Sequence, residues 1–251
     1  MTAELEGRPT SALAALAALA LTASLVSTLT STPASSSPSG QAGAAEVVTR
    51  IDLVRSGGRP AAGVPIDEVV VAWTARGASG RQKASVRSDE EYELVTRGKA
   101  FRPDSIMVPL GSRVRFPNED PILHNVFSVS EGNEFDLGLY QRGEGQTVAF
   151  ESAGLVRVFC NVHHDMFAHV LVIDTPILGR VSRDGTVVLP GLPQGPGTLT
   201  VWHPRADLST FELANPSSIP AVIELEVGRR QVPPHNNKFA KPYRAARRYD
   251  G

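Results

Sequence analysis

The sequence predicts an all-β protein, a β-sandwich followed by a small second β-module. Three observations carry that expectation. Short apolar runs, several alternating with period two, recur along the body between Gly, Pro, Asn and Asp. Glycine and proline supply 22 and 19 of the 251 residues with no fixed period, which fits frequent turns and excludes a collagen-like repeat. Beyond the N-terminal segment, no long stretch keeps the spacing of an amphipathic helix.

The first sandwich is expected over residues 46–174, with strands at 47–53, 68–74, 82–88, 92–96, 105–109 and 113–116. Further strands are expected at 125–129, 135–140, 146–151, 155–160 and 169–174. In "RVRF", Val114 and Phe116 face one way and Arg113 and Arg115 the other. In "LVRVFC", Val156, Val158 and Cys160 share a face opposite Arg157, so the thiol points to the apolar side. Near Thr175 the pattern restarts. Strands at 178–182, 186–189, 198–202 and 222–227, with an Asp184-Gly185 hairpin turn, form a module over 175–228 packed behind the first.

The two ends read differently from the body. Ala12 to Leu29 is apolar and uncharged, and a Ser/Pro/Gly/Ala-rich stretch follows it. Residues 1–45 therefore read as an export signal, with a small-residue cleavage region at Ala42-Gly43-Ala44, or as a membrane anchor plus linker. That places the protein in the periplasm or another extracytoplasmic space. Residues 229–251 carry seven Lys/Arg and one acid, leaving 18 basic against 25 acidic side chains in residues 1–228. The tail reads as a solvated basic extension or, alternatively, as a contact for anionic lipid, polymer or an acidic partner.

Export sharpens the question of the lone cysteine. Exported thiols usually pair, and Cys160 has no partner in the chain. In "VFCNVHHDMFAHVLV" it is followed by His163 and Met166 at three-residue intervals, in a loop between two strands. His124, at the start of another strand, supplies a further imidazole. Two imidazoles, a thiolate and a thioether form the donor set of a mononuclear type 1 copper site. His163 is preferred over His164 and His169, because it keeps the Cys-x₂-His spacing and His169 falls in the outgoing strand. His203 and His235 read as incidental surface histidines. A buried inert thiol and a structural zinc site are the alternatives, and Met166 is an odd fourth partner for zinc.

The spacing Cys-x₂-His-x₂-Met with an upstream His-Asn resembles the cupredoxins, and the short ligand loop is similar to that of amicyanin. "SRVRFPNED", "HNVFS", "SAGLVRVFC", "FDLGLYQRG" and "VWHP" add to the likeness, which covers residues 46–174 well and 175–228 loosely. It implies a Greek-key sandwich with one copper held by His124, Cys160, His163 and Met166, and Asn125 bracing the cysteine loop through its amide. It also implies single-electron transfer between redox partner proteins. The pair His164-Asp165 departs from the small, apolar or proline residues usual after the ligand histidine, which makes the expected exit surface for electrons more polar.

No phosphate loop, nucleophile elbow or HExxH is present, and one cysteine cannot bridge two coppers. The expectation is therefore a carrier and not an enzyme, with no nucleic-acid partner. A copper protein for storage, delivery or resistance, and a metal-free envelope interaction module, are the alternatives.

Overall fold

A computed structural model of the chain describes residues 45–77, 91–175, 177–229, 232–239 and 241. The expected export segment and linker, the strand expected at 82–88 and parts of the basic tail lie outside the described residues. The described residues are nearly all β, with two short 3-10 turns at Ile66–Glu68 and Pro216–Ser218 and no α-helix among them.

The strands run in chain order as β1 (Ala45–Arg55), β2 (Arg59–Pro60), β3 (Val70–Ala75), β4 (Glu91–Glu93), β5 (Val95–Thr96) and β6 (Phe101–Arg102). Next come β7 (Ser105–Pro109), β8 (Arg113–Asn118), β9 (His124–Ser128), β10 (Phe135–Tyr140), β11 (Gly143–Ala149) and β12 (Gly154–Phe159). The last are β13 (Phe167–Ile173), β14 (Arg180–Val181), β15 (Thr186–Leu192), β16 (Gly197–Trp202), β17 (Ser209–Leu213) and β18 (Val222–Glu226).

A first pair of sheets forms a β-sandwich. One sheet has the order β10-β9-β12-β13-β7; the other runs β11-β8-β5-β6, with β4 also on β8. The chain changes sheet between β8 and β9, between β10 and β11, and between β11 and β12, as a Greek-key connection requires. The alternation seen in the sequence sets what lies between the sheets. Val114 and Phe116 from β8 meet Val156, Val158 and Cys160 from the β12 side in one core, all fully or nearly fully buried.

A second pair of sheets forms the other module, and here the boundaries differ from those expected. β1 pairs antiparallel with β15 and parallel with β18, while β3 pairs antiparallel with β16. Residues 45–75 thus contribute strands to the sheets of residues 180–226, although the sequence placed them with the first sandwich. The physical reason is that apolar alternation shows which face of a strand is buried and not which partner buries it. The core of this module joins Ile51 and Trp73 from the N-terminal side to Leu189, Val201 and Leu225.

β13 links the two units. Ala168, Val170 and Val172 point into the first core, while Leu171 and Ile173 pack on the other face with Trp202 of β16. Burial on both faces accounts for a near-continuous apolar run in place of alternation.

Candidate metal centre

His124 opens β9 and is fully buried. The turn before it is shaped by Asn118, whose Nδ2 donates to the Ile122 carbonyl at 3.0 Å while its Oδ1 accepts from the Asp120 amide at 2.9 Å. Asp120 faces the imidazole, with Oδ2 3.0 Å from His124 Nε2. A carboxylate can only accept here, so in the neutral ring Nε2 carries the proton and Nδ1 is left as a lone-pair donor. That Nδ1 lies 3.8 Å from Cys160 Sγ.

Asp120 is itself held by a tight turn. Its Oδ1 accepts from the Gly98 amide at 2.6 Å and its Oδ2 from the Lys99 amide at 2.9 Å. Gly98 and Lys99 both have positive φ, 63° and 57°, between β5 and β6, which turns successive N–H groups toward one anion. Burial pushes the Asp120 carboxyl up, but these two amides and His124 outweigh it and hold it below the ordinary carboxylate range.

Cys160 follows β12 directly and is fully buried. The loop after it closes on itself: the Met166 amide donates to the His163 carbonyl at 3.0 Å, and the Cys160 amide to the Met166 carbonyl at 3.2 Å. This closure brings His163 Nδ1 to 4.0 Å from Cys160 Sγ. The His124 and His163 rings lie with centroids 4.8 Å apart. Burial, followed by the nearby His124 and Lys99, lowers the His163 pKa, which favours the neutral ring that can donate to a metal. Donor atoms of His124, Cys160 and His163 all lie within 4.8 Å of one another.

Met166 sits at the end of the loop, 2% exposed, in the same core cluster as Cys160. Asn125 is buried beside His124, but its amide does not brace the cysteine loop. Its Nδ2 donates instead to Asp136 Oδ1 at 2.7 Å and to the Gly138 carbonyl at 2.9 Å, and its Oδ1 has no hydrogen-bond partner among the described residues. The reason is a bulge in β10 between Asp136 and Leu139, which carries these two acceptors under Asn125. His164 is exposed and lies outside the cluster, and so does His169, whose ring meets Trp202 edge-on.

Two histidines expected at the surface are elsewhere. His203 is fully buried, its Nε2 3.1 Å from the Pro65 carbonyl and its Nδ1 accepting from the Arg205 amide. His235 stacks on Phe159 with centroids 3.8 Å apart. Sequence reasoning also missed Asp120. Its signal was present in "DPILH", an acid four residues before His124.

The donor set fits copper. A shared ion at ordinary Sγ and imidazole bond lengths and near-trigonal angles sets the S···N edge at about 3.8 Å. The two S···N edges observed are 3.8 and 4.0 Å, and the three donor atoms lie within 4.8 Å of one another. Ile122, Leu123, Leu139 and Val162 are exposed apolar residues on the segments that carry the site.

No protein-family model and no curated protein matches this chain. Similar solved structures include a purple cupredoxin from Nitrosopumilus maritimus, 20% identical over 33% of this chain and 99% of that one, with TM-score 0.29. A reduced Cu(I) form of an amicyanin variant is 18% identical over 43% of this chain and 100% of its own, with TM-score 0.32. The copper-containing nitrite reductase of Thermus scotoductus is 20% identical over 35% of this chain and 23% of its own, with TM-score 0.33. These are partial likenesses to cupredoxin folds. The last of them is an enzyme, so the expectation that a chain of this kind is not an enzyme does not stand, although the likeness does not make this chain one.

Proposed function

We propose that this chain is an exported copper protein that carries single electrons between redox partners, with one type 1 copper held by His124, Cys160, His163 and Met166. The observation that carries the reading is the buried His124–Cys160–His163 cluster, in which Asp120 fixes the Nδ1 of His124 as a donor toward the thiol. Bound copper supplies a one-electron couple, Cu(II)/Cu(I), that no side chain here provides.

The protein's own residues hold that donor set still. β9 fixes His124, β12 fixes Cys160, and the loop hydrogen bonds fix His163 and Met166 between β12 and β13. Donors on rigid strands keep their geometry through a change of one charge, which keeps electron transfer fast. The exposed Ile122, Leu123, Leu139 and Val162 supply an apolar surface against which a redox partner protein would dock. Residues 1–45 act as the export signal or membrane anchor, and residues 46–174 with the module after them form the exported body.

The test is a visible absorption spectrum of the protein with Cu(II) added, beside Cys160→Ser and Met166→Leu. An intense thiolate-to-copper band, lost in Cys160→Ser and shifted in Met166→Leu, is the expected result. A colourless protein with Cys160 reduced and no copper retained rejects the reading.

A further inference from the structure

The basic tail was expected to be solvated, yet residues 232–239 lie against the sandwich beside the metal centre. Three contacts define the docking. The His235 ring stacks on Phe159 at 3.8 Å with planes 9° apart, and Phe159 is the residue before Cys160. The Lys238 amide donates to Asn161 Oδ1 at 3.4 Å, and Asn161 is the residue after Cys160. Lys238 Nζ reaches Asp136 Oδ2 at 2.8 Å, and Asp136 accepts from Asn125, the residue after His124.

Each contact therefore falls one residue from a donor of the cluster or on the group that holds such a residue. The strap belongs to the C-terminal module. Its chain leaves β18, where Arg55 donates to the carbonyls of Val227 and Gly228 and the Gly228 amide donates to the Arg205 carbonyl. Its two prolines then line the same cleft as Arg157 and His169. Pro233-Pro234 stiffens the approach, so less conformational freedom is lost when His235 and Lys238 dock.

We infer that residues 232–239 are a strap through which His235 and Lys238 position the metal loop and tie it to the second module. The inference rests on the copper reading for its metal-dependent half only. Lys238 acts through Asp136 and Asn125, and His235 through Phe159, so both are positioning residues and neither touches the donors. The Lys238 side chain is 19% and that of Asp136 42% exposed, and their pair sits in a network with the Asn125 amide and the Gly138 N–H. Such partners of partners hold metal donors in place as effectively as direct contacts.

The experiment compares the full chain with Lys238→Ala, Lys238→Arg and His235→Ala by two readouts. Amide hydrogen exchange of the metal-free protein reports the 160–166 loop directly. Competition for Cu(II) against a chelator reports the assembled centre. Expected are exchange of that loop faster by about threefold in both alanine variants and Cu(II) held more weakly by a factor of about three to ten. Lys238→Arg should behave as the parent. Unchanged exchange and unchanged Cu(II) affinity in both alanine variants overturn the inference. So does faster exchange spread evenly over both modules with a matching fall in thermal midpoint, because that is a stability effect alone. If the parent protein holds no Cu(II), the copper reading fails, and the exchange data still decide the strap.

Discussion

Asp120 and His124, four residues apart, are joined by a 3.0 Å contact that determines which imidazole nitrogen faces Cys160. The carboxylate is fixed in turn by the Gly98 and Lys99 amides, so a β-turn in one sheet orients the imidazole of His124 on the other. This acid–imidazole pair is the second partner that metal-binding histidines commonly require.

Replacing Asp120 separates that role from packing. Asp120→Asn keeps the shape and one acceptor oxygen but removes the charge. Asp120→Ala leaves the Gly98 and Lys99 amides without their carboxylate acceptor. Cu(II) affinity should fall about tenfold or more in both variants. Asp120→Ala should also lose about 1–3 kcal/mol of unfolding free energy. Chelator competition and urea titration measure the two effects, and parent-like copper affinity in both variants removes Asp120 from the centre.

The strand alternation of "RVRF" and "LVRVFC" was legible because each strand has one solvent face, and Val114, Phe116, Val156, Val158 and Cys160 are all buried as that pattern requires. The cluster His124, Cys160 and His163 was legible because two of its members share one short loop. Long-range pairing was not legible. Nothing in "AEVVTRIDLVR" distinguishes a strand of the first sandwich from one wedged between β15 and β18. The docking of His235 on Phe159 was equally hidden, because a Pro- and Asn-rich segment carries the composition of a free tail even where two side chains hold it down.

That hidden pairing makes a prediction about fragments. A fragment of residues 46–174 contains β1 and β3 without their partners β15, β18 and β16, and it strips Trp202 from the outer face of β13. Such a fragment should expose Ile51 and Trp73 and unfold without cooperativity or aggregate. The chain from residue 45 onward should melt in one transition. Thermal unfolding followed by circular dichroism decides it, and a cooperative melt of the 46–174 fragment shows that the first sandwich stands alone.

His169 gives the fold a pH dependence of predictable sign. Its ring is 6% exposed, faces Trp202 and Phe167 edge-on and sits across from Arg157 on β12. Burial first, and the Arg157 charge second, push its pKa from the model-peptide 6.5 down to about 4. Between those values the unfolded chain binds a proton that the folded chain refuses. Stability is therefore complete above about pH 6.5 and falls as pH drops toward 4. A shift of that size corresponds to about 3 kcal/mol. His203, also buried with a lowered pKa, adds its own loss in the same direction. Denaturant titrations of the parent and of His169→Gln at several values across that range isolate the first contribution. The variant should start less stable, through lost packing against Trp202, yet decline less steeply as the solution is acidified. Parallel declines in the two proteins would place the titrating group elsewhere.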